Sequence, residues 1–177
     1  MFKIVERPKP VEQPKPGVPN AEVAAGGPYG LFKGKAPGIM DDLIRDFSLT
    51  DVQAASIVGN LGHECGGFRL MQELKPLAGA GGYGWAQWTG PRCKSFFKFC
   101  AQGELDKNSD HGNYAYLKHE LRQEYKSAIA AVKDTSTLTE GVRAFELKFE
   151  KAHPHYKHYE RRELYARIAL DAYRART

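Results

Sequence analysis

Beyond residue 39 the apolar residues of this chain recur at helical spacing almost everywhere, and one stretch too rich in glycine to be helix breaks the pattern. Ala54, Ile57, Val58, Leu61 and Cys65 fall at i, i+3, i+4, i+7 and i+11, which is one apolar face of a helix. Thr50-Asp51-Val52-Gln53 fits a capping box ahead of that face and Gly66-Gly67 closes it, so the spacing predicts a helix over about residues 50–64. Residues 66–90 then hold seven glycines, Pro76 and the run Tyr83-Gly84-Trp85-Ala86-Gln87-Trp88, which reads as irregular structure or a small β-hairpin.

Helical periodicity resumes after Gly90-Pro91, where proline suits the first turn, with Cys93, Phe96, Phe97 and Cys100. A long stripe follows through Leu117, Leu121, Tyr125, Ala128, Ile129 and Val132. Thr137-Leu138-Thr139-Glu140 is a second capping box ahead of Val142, Phe145 and Phe149, and Tyr165, Ile168, Ala169 and Ala172 mark a last helix after Pro154. Five good helices, a short amphipathic piece over 39–47 and a Gly-rich lobe between the second and third helices predict a mainly α (α+β) domain over residues 39–177, with at most a tiny sheet.

Residues 1–38 differ in kind, because they contain seven of the ten prolines and six of the eighteen glycines. That composition predicts a linker or arm with extended polyproline character, about 60 Å long for a 20-residue stretch at roughly 3.1 Å per residue. The first residues, MFKIVERPKPVEQPKPG, carry charges where a secretory signal needs an apolar stretch, so none is expected. No run approaches the roughly 18 apolar residues of a membrane span.

The formal net charge is +5, and residues 151–177 hold seven Lys/Arg against Glu160, Glu163 and Asp171. Such a surplus could lie against nucleic acid, anionic lipid or a polyanionic cell wall, although a solvated helix face with scattered ion pairs is the simpler account. Three cysteines do not make a disulfide framework. Cys93 and Cys100 would lie about 10.5 Å apart along one helix, beyond the roughly 7 Å limit for bridging, and are expected to be reduced.

Glu64 carries the most chemistry. It sits at i+3 from Leu61 and i+7 from Ile57, on the margin of the apolar stripe and at a helix C-terminus. Partial burial and the negative end of the helix both disfavour a carboxylate there. A carboxyl kept protonated is what general acid cleavage of a glycoside needs, since the departing oxygen must be protonated as its bond breaks.

The surrounding residues extend that reading. Asn60-Leu61-Gly62-His63-Glu64-Cys65-Gly66-Gly67-Phe68, followed by Gly82-Tyr83-Gly84-Trp85-Ala86-Gln87-Trp88-Thr89-Gly90 and Arg92, closely resembles the phage tail lysozyme family and related phage endolysins of the lysozyme-like superfamily. The usual form there looks like G-N-x-x-H-E-S-G-G-F and then Y-G-x-A-Q-W-T-G-x-R, and Cys65 departs from it where serine is common. The resemblance covers roughly residues 40–172, with specific motifs in 59–92.

By that resemblance Glu64 takes the place of the catalytic glutamate, and Tyr83, Gln87 and Trp88 belong to a substrate-binding hairpin facing it across a saccharide cleft. Aromatic faces stack on pyranose rings, and the Gln87 amide suits N-acetyl and hydroxyl groups. The implied activity is a muramidase cleaving the β-1,4 bond between N-acetylmuramic acid and N-acetylglucosamine. Its implied partner is peptidoglycan glycan strands, not nucleic acid, and the protein is expected to be a monomer that needs no cofactor. Without a signal, a holin would release it from the host cytoplasm to the wall, or the virion would carry it there.

A second carboxylate decides the mechanism, and Glu73, with eight residues between it and Glu64, is the candidate. A partner about 5 to 5.5 Å from Glu64 implies retention, and about 6.5 to 9.5 Å implies inversion. With no partner, Glu64 alone fits a lytic transglycosylase, and a silent wall-binding or tail structural protein is a further alternative. A zinc enzyme ranks below these. His63-Glu64 does not open HExxH because residue 67 is glycine, and His153, His155 and His158 lack accompanying Asp or Cys ligands. Tyr156 and Tyr159, next to Arg161, could line the far wall of the cleft but are read first as helix packing.

Overall fold

The computed structural model describes residues 27–72 and 81–176. Among the described residues there are seven α-helices: α1 (Gly30–Phe47), α2 (Asp51–Glu64), α3 (Gly90–Gln102), α4 (Asp110–Arg122), α5 (Lys126–Lys133), α6 (Leu138–Phe145) and α7 (Tyr159–Arg174). A π-helical turn, Glu146–Glu150, extends α6, and a 3-10 turn, Pro154–Tyr156, precedes α7.

Helix α1 corrects the sequence-based boundary, since it begins at Gly30, inside the stretch assigned to the arm. Phe32, Ala36, Ile39, Met40, Leu43 and Phe47 form one buried stripe running through Gly34, Pro37 and Gly38. Pro37 lacks the N–H that would bond the carbonyl four residues back, yet it is buried with its neighbours. Burial of the apolar stripe outweighs the local propensity of glycine and proline. The rest of the expected arm, residues 1–26, lies outside the described residues, as does Glu73.

Helix α2 is the centre of the domain. Both capping boxes form as their sequences require, Thr50 with Gln53 on α2 and Thr137 with Glu140 on α6. The apolar face expected for α2 is buried, but so is its polar side, because Gln53, Ser56 and Asn60 are also buried. Gln53 Nε2 donates to the carbonyls of Lys133 and Thr135 at 3.1 and 3.2 Å, and Ser56 Oγ to that of Leu138 at 3.2 Å. Asn60 Nδ2 donates to the carbonyl of Val142 at 3.1 Å. These residues make a seam at i, i+3 and i+7 that ties α2 to the ends of α5 and the start of α6 by satisfied buried hydrogen bonds.

Among the described residues the Gly-rich lobe, expected to be irregular or a small β-hairpin, forms no sheet. Tyr83 and Trp88 exchange N–H···O bonds at 3.0 and 2.9 Å, closing a four-residue turn, and Gln72 pairs with Tyr83 across an isolated bridge. Two isolated bridges leave nothing for a ladder to propagate from, and the turn is held by side chains instead. Gly84, at φ +76°, is required there, because a Cβ would meet the Trp88 ring at 2.5 Å and Asn113 Oδ1 at 2.6 Å. The long stripe expected from Leu117 to Val132 is likewise two helices, α4 and α5, separated at residues 123–125.

Helix α2 packs most extensively against α7, and the contact is set by glycine. A Cβ on Gly59 would lie 2.6 Å from the backbone nitrogen and 2.7 Å from the Cα of Ala166. Only a bare Cα lets the two helices approach this closely. Gly59→Ala therefore forces the backbones apart, and we expect a loss of about 1–3 kcal/mol of stability, read as a lower urea midpoint.

Candidate active site

Residues 60 and 64 lie one turn apart on α2, so their side chains share a face of the helix. That face meets Arg162 of α7, which is fully buried. Arg162 Nη2 lies 2.6 Å from Glu64 Oε1, Nη1 donates to Asn60 Oδ1 at 3.1 Å, and Nε donates to the Lys157 carbonyl at 2.5 Å. A planar guanidinium thus joins the C-terminal turn of α2 to the segment that leads into α7. The Glu64 side chain is 21% exposed against 1% for Arg162, so the carboxylate is the part of the pair that reaches solvent.

This is a different environment from the one the α2 stripe suggests. Glu64 does end a buried helix, but a guanidinium faces it at 2.6 Å. The neighbouring His63 is buried with an unpartnered Nδ1. Burial first, and then the charges of Arg162, Arg161 and His158, lower its pKa to about 3, so its imidazole is neutral at ordinary pH. Cys65, at the serine position of the motif, is buried, and burial pushes its thiol well above the usual range, which leaves it an unreactive packing group.

The three hairpin residues expected to bind saccharide are engaged elsewhere. Trp88 is fully buried, packed against Phe96 and edge-on to Tyr116. Its Nε1 donates to Glu120 Oε2 at 2.6 Å, and Arg92 grips the same carboxylate with Nε at 2.9 Å and Nη2 at 2.8 Å. The Arg92 guanidinium in turn stacks on the Tyr125 and Phe149 rings at 4.5 and 4.6 Å and donates to the Phe149 carbonyl at 3.3 Å. Trp88 is therefore a core residue and not a platform for a sugar ring. Gln87, at φ +46°, spends its amide nitrogen on the carbonyls of Gly84 and Leu70 and braces the turn. Tyr83 is half-buried, edge-on to Phe97 at 5.0 Å, and its hydroxyl donates to Asn108.

Tyr156 departs from the expected helix packing. It is 66% exposed, and a chain of ring contacts runs from it to His158 and from His158 to His63, the residue before Glu64. Tyr159, by contrast, packs inward and donates to Glu146 Oε2 at 2.8 Å.

These arrangements answer to a known family. The family model for phage tail lysozyme matches residues 35–173, most of the chain. The chain belongs to the phage tail lysozyme family. No curated protein and no solved structure matches it. In this phage tail lysozyme family member the first motif is explained by α2, where Asn60 and Glu64 clasp Arg162 and Gly59 and Gly62 admit α7. The second is explained by the clamp that Trp88 and Arg92 close on Glu120.

Sequence reasoning missed Arg162 and Glu120. Arg162 was one of seven C-terminal cations counted as a surface surplus, yet Lys157, Arg162, Arg167, Arg174 and Arg176 all pair with acids of the domain. The available signal was its place, three residues before Tyr165 on the apolar side of α7. Among the described residues no group of three His, Cys, Asp or Glu side chains could hold a metal ion, and no helix is long and apolar enough to cross a membrane.

If Trp88 serves the core, Trp88→Phe will remove the donor to Glu120 and cost about 1–3 kcal/mol in urea denaturation while leaving glycan affinity unchanged. Loss of glycan binding by a variant of normal stability would contradict the assignment.

Proposed function

We propose that this protein is a peptidoglycan hydrolase, a muramidase that cleaves the β-1,4 bond between N-acetylmuramic acid and N-acetylglucosamine, with Glu64 as the catalytic carboxyl. The observation that carries the reading is the Glu64–Arg162 pair, in which a buried guanidinium orients a carboxylate that is itself open to solvent. Holding a reacting carboxyl in one geometry is worth more than proximity alone, because a misplacement of about 1 Å can cost on the order of 100-fold in rate. The family match supports the same substrate class.

Glu64 protonates the departing glycosidic oxygen, and water completes the hydrolysis. Tyr156 offers an exposed aromatic face for a pyranose ring on the same side of the domain as His158 and His63. In this reading the protein acts on the cell wall, carried there by the virion or released by a holin, with glycan strands as its partner and no cofactor.

Digestion of purified peptidoglycan with mass spectrometry of the released muropeptides tests this. Wild type is expected to release products with reducing ends. Glu64→Gln keeps an oxygen for Arg162 and should fold normally, while its rate falls about 100-fold or more. Anhydro ends would identify a lytic transglycosylase instead. Binding to wall material without any soluble product would leave a wall-binding protein.

A further inference from the structure

Away from Glu64, the C-terminal half of α1 and one face of α4 border a cavity of about 550 Å³. These two helices are not among the closely packed pairs of the domain, and long side chains bridge the gap between them. His111, Tyr114, Ala115, Lys118 and Arg122 fall at i, i+3, i+4, i+7 and i+11, one face of α4. Asp42 and Arg45, nearly one turn apart, line the α1 side.

Asp46 of α1 is the anion that these cations share. Its side chain is only 10% exposed, and its Oδ2 accepts from the Tyr114 hydroxyl at 2.8 Å. Lys118 Nζ and Arg45 Nη2 lie 3.0 and 3.2 Å from that same oxygen, and Arg122 Nη2 lies 3.8 Å from Oδ1. Asp42 adds a second carboxylate, 2.7 Å from Arg45. Three cations therefore share two carboxylates, and all three reach solvent. Among the described residues both arginines make their polar contacts through Nη2 alone, so the Nε and Nη1 donors of each are left for a ligand.

His119 lines this cavity and also a second one of about 420 Å³. Phe99 and Tyr125 line the second, and the His119 ring lies 5.0 Å from that of Phe99. Both volumes are of the size that takes an organic ligand and not a lone ion.

We propose that the two adjoining cavities bind a phosphorylated sugar, with the phosphoryl group at Arg45, Lys118 and Arg122 and the sugar ring along His119 and Phe99. A phosphoryl group presents three acceptor oxygens around a tetrahedral centre, which suits donors arriving from two helices, whereas a planar carboxylate matches a single guanidinium fork. Its negative charge compensates the cation that Asp42 and Asp46 leave unmatched. The apolar face of a pyranose packs on an aromatic ring. A surface polymer that carries phosphorylated sugars is thereby held at a site sharing no residue with the Glu64–Arg162 cluster, and the assignment stands whether or not Glu64 is catalytic.

Titration of the full chain with N-acetylglucosamine 6-phosphate, followed through the NMR signals of the Tyr114, His119 and Phe99 rings, tests this. Saturable shifts are expected, with inorganic phosphate and N-acetylglucosamine each binding about tenfold or more weakly, because each supplies only half of the contacts. Replacing Arg45 and Arg122 together by glutamine should weaken binding about tenfold or more. Asp42→Asn, which releases Arg45 from its carboxylate, should tighten it several-fold. Ala115→Leu fills the cationic cavity without altering its charge and should weaken binding, so the answer does not depend on the double variant folding. No saturable shift, equal affinity for inorganic phosphate, or unchanged binding in these variants overturns the proposal. Adsorption to vesicles of anionic phospholipid without binding of the sugar phosphate also overturns it and assigns the face to lipid. A protein that binds the sugar phosphate but releases no muropeptides defeats the hydrolase reading alone.

Discussion

The structure depends on a positive charge placed inside it. Arg162 sits where α7 crosses α2, and everything within reach is arranged to satisfy it: the Glu64 carboxylate, the Asn60 side-chain oxygen and the Lys157 carbonyl. Breaking a buried pair by removing one partner is far more costly than never having built it. This one residue therefore fixes the register of α7 on α2 and the direction in which Glu64 points. The small residues at the crossing serve the same end. Gly59 against Ala166, and Gly62 against Phe32 and Tyr165, bring the α7 backbone close enough for a guanidinium to bridge the last turn of α2.

A second, half-buried arginine repeats the arrangement at the π-helical turn. Arg92 is held by Glu120 and roofed by Tyr125 and Phe149, and it touches the turn directly through the Phe149 carbonyl. The turn is thus pinned from one side by Arg92 and from the other by Lys157 and Tyr159 acting on Glu146. The Lys151 N–H closes on the Glu146 carbonyl at 2.7 Å, the wider ring of a π-turn, and Lys151 then leaves at φ +52°.

Much of the fold was legible in the sequence because its signals are local. The capping boxes at Thr50 and Thr137 depend on residues three apart, and both form. The glycine-rich break was legible for the same reason, but its conformation was not, since the turn at 83–88 is organised by Asn113 and by the Trp88 ring. Helix α1 was hidden for the opposite reason: Gly34, Pro37 and Gly38 send strong local signals against helix, and burial of the surrounding stripe overrides them.

The site divides along the same line. Glu64 was legible from its motif, whereas its partner lies 98 positions further on, a number that no periodicity encodes. The place of Trp88 was not legible, because a tryptophan beside glycines has the same appearance in a binding hairpin and in a core. What separates the two is a buried acceptor for the indole N–H, and Glu120 came from another helix.

The pairing of Glu64 with Arg162 shows how the fold turns packing into direction. A guanidinium at 2.6 Å gives the carboxyl a fixed orientation, and that guanidinium is itself held by the Asn60 side-chain oxygen and the Lys157 carbonyl. The direction of the one partly exposed group in the cluster is therefore inherited from the crossing of α2 and α7, and a change that shifts that crossing, such as a Cβ on Gly59, would re-aim Glu64 without touching it.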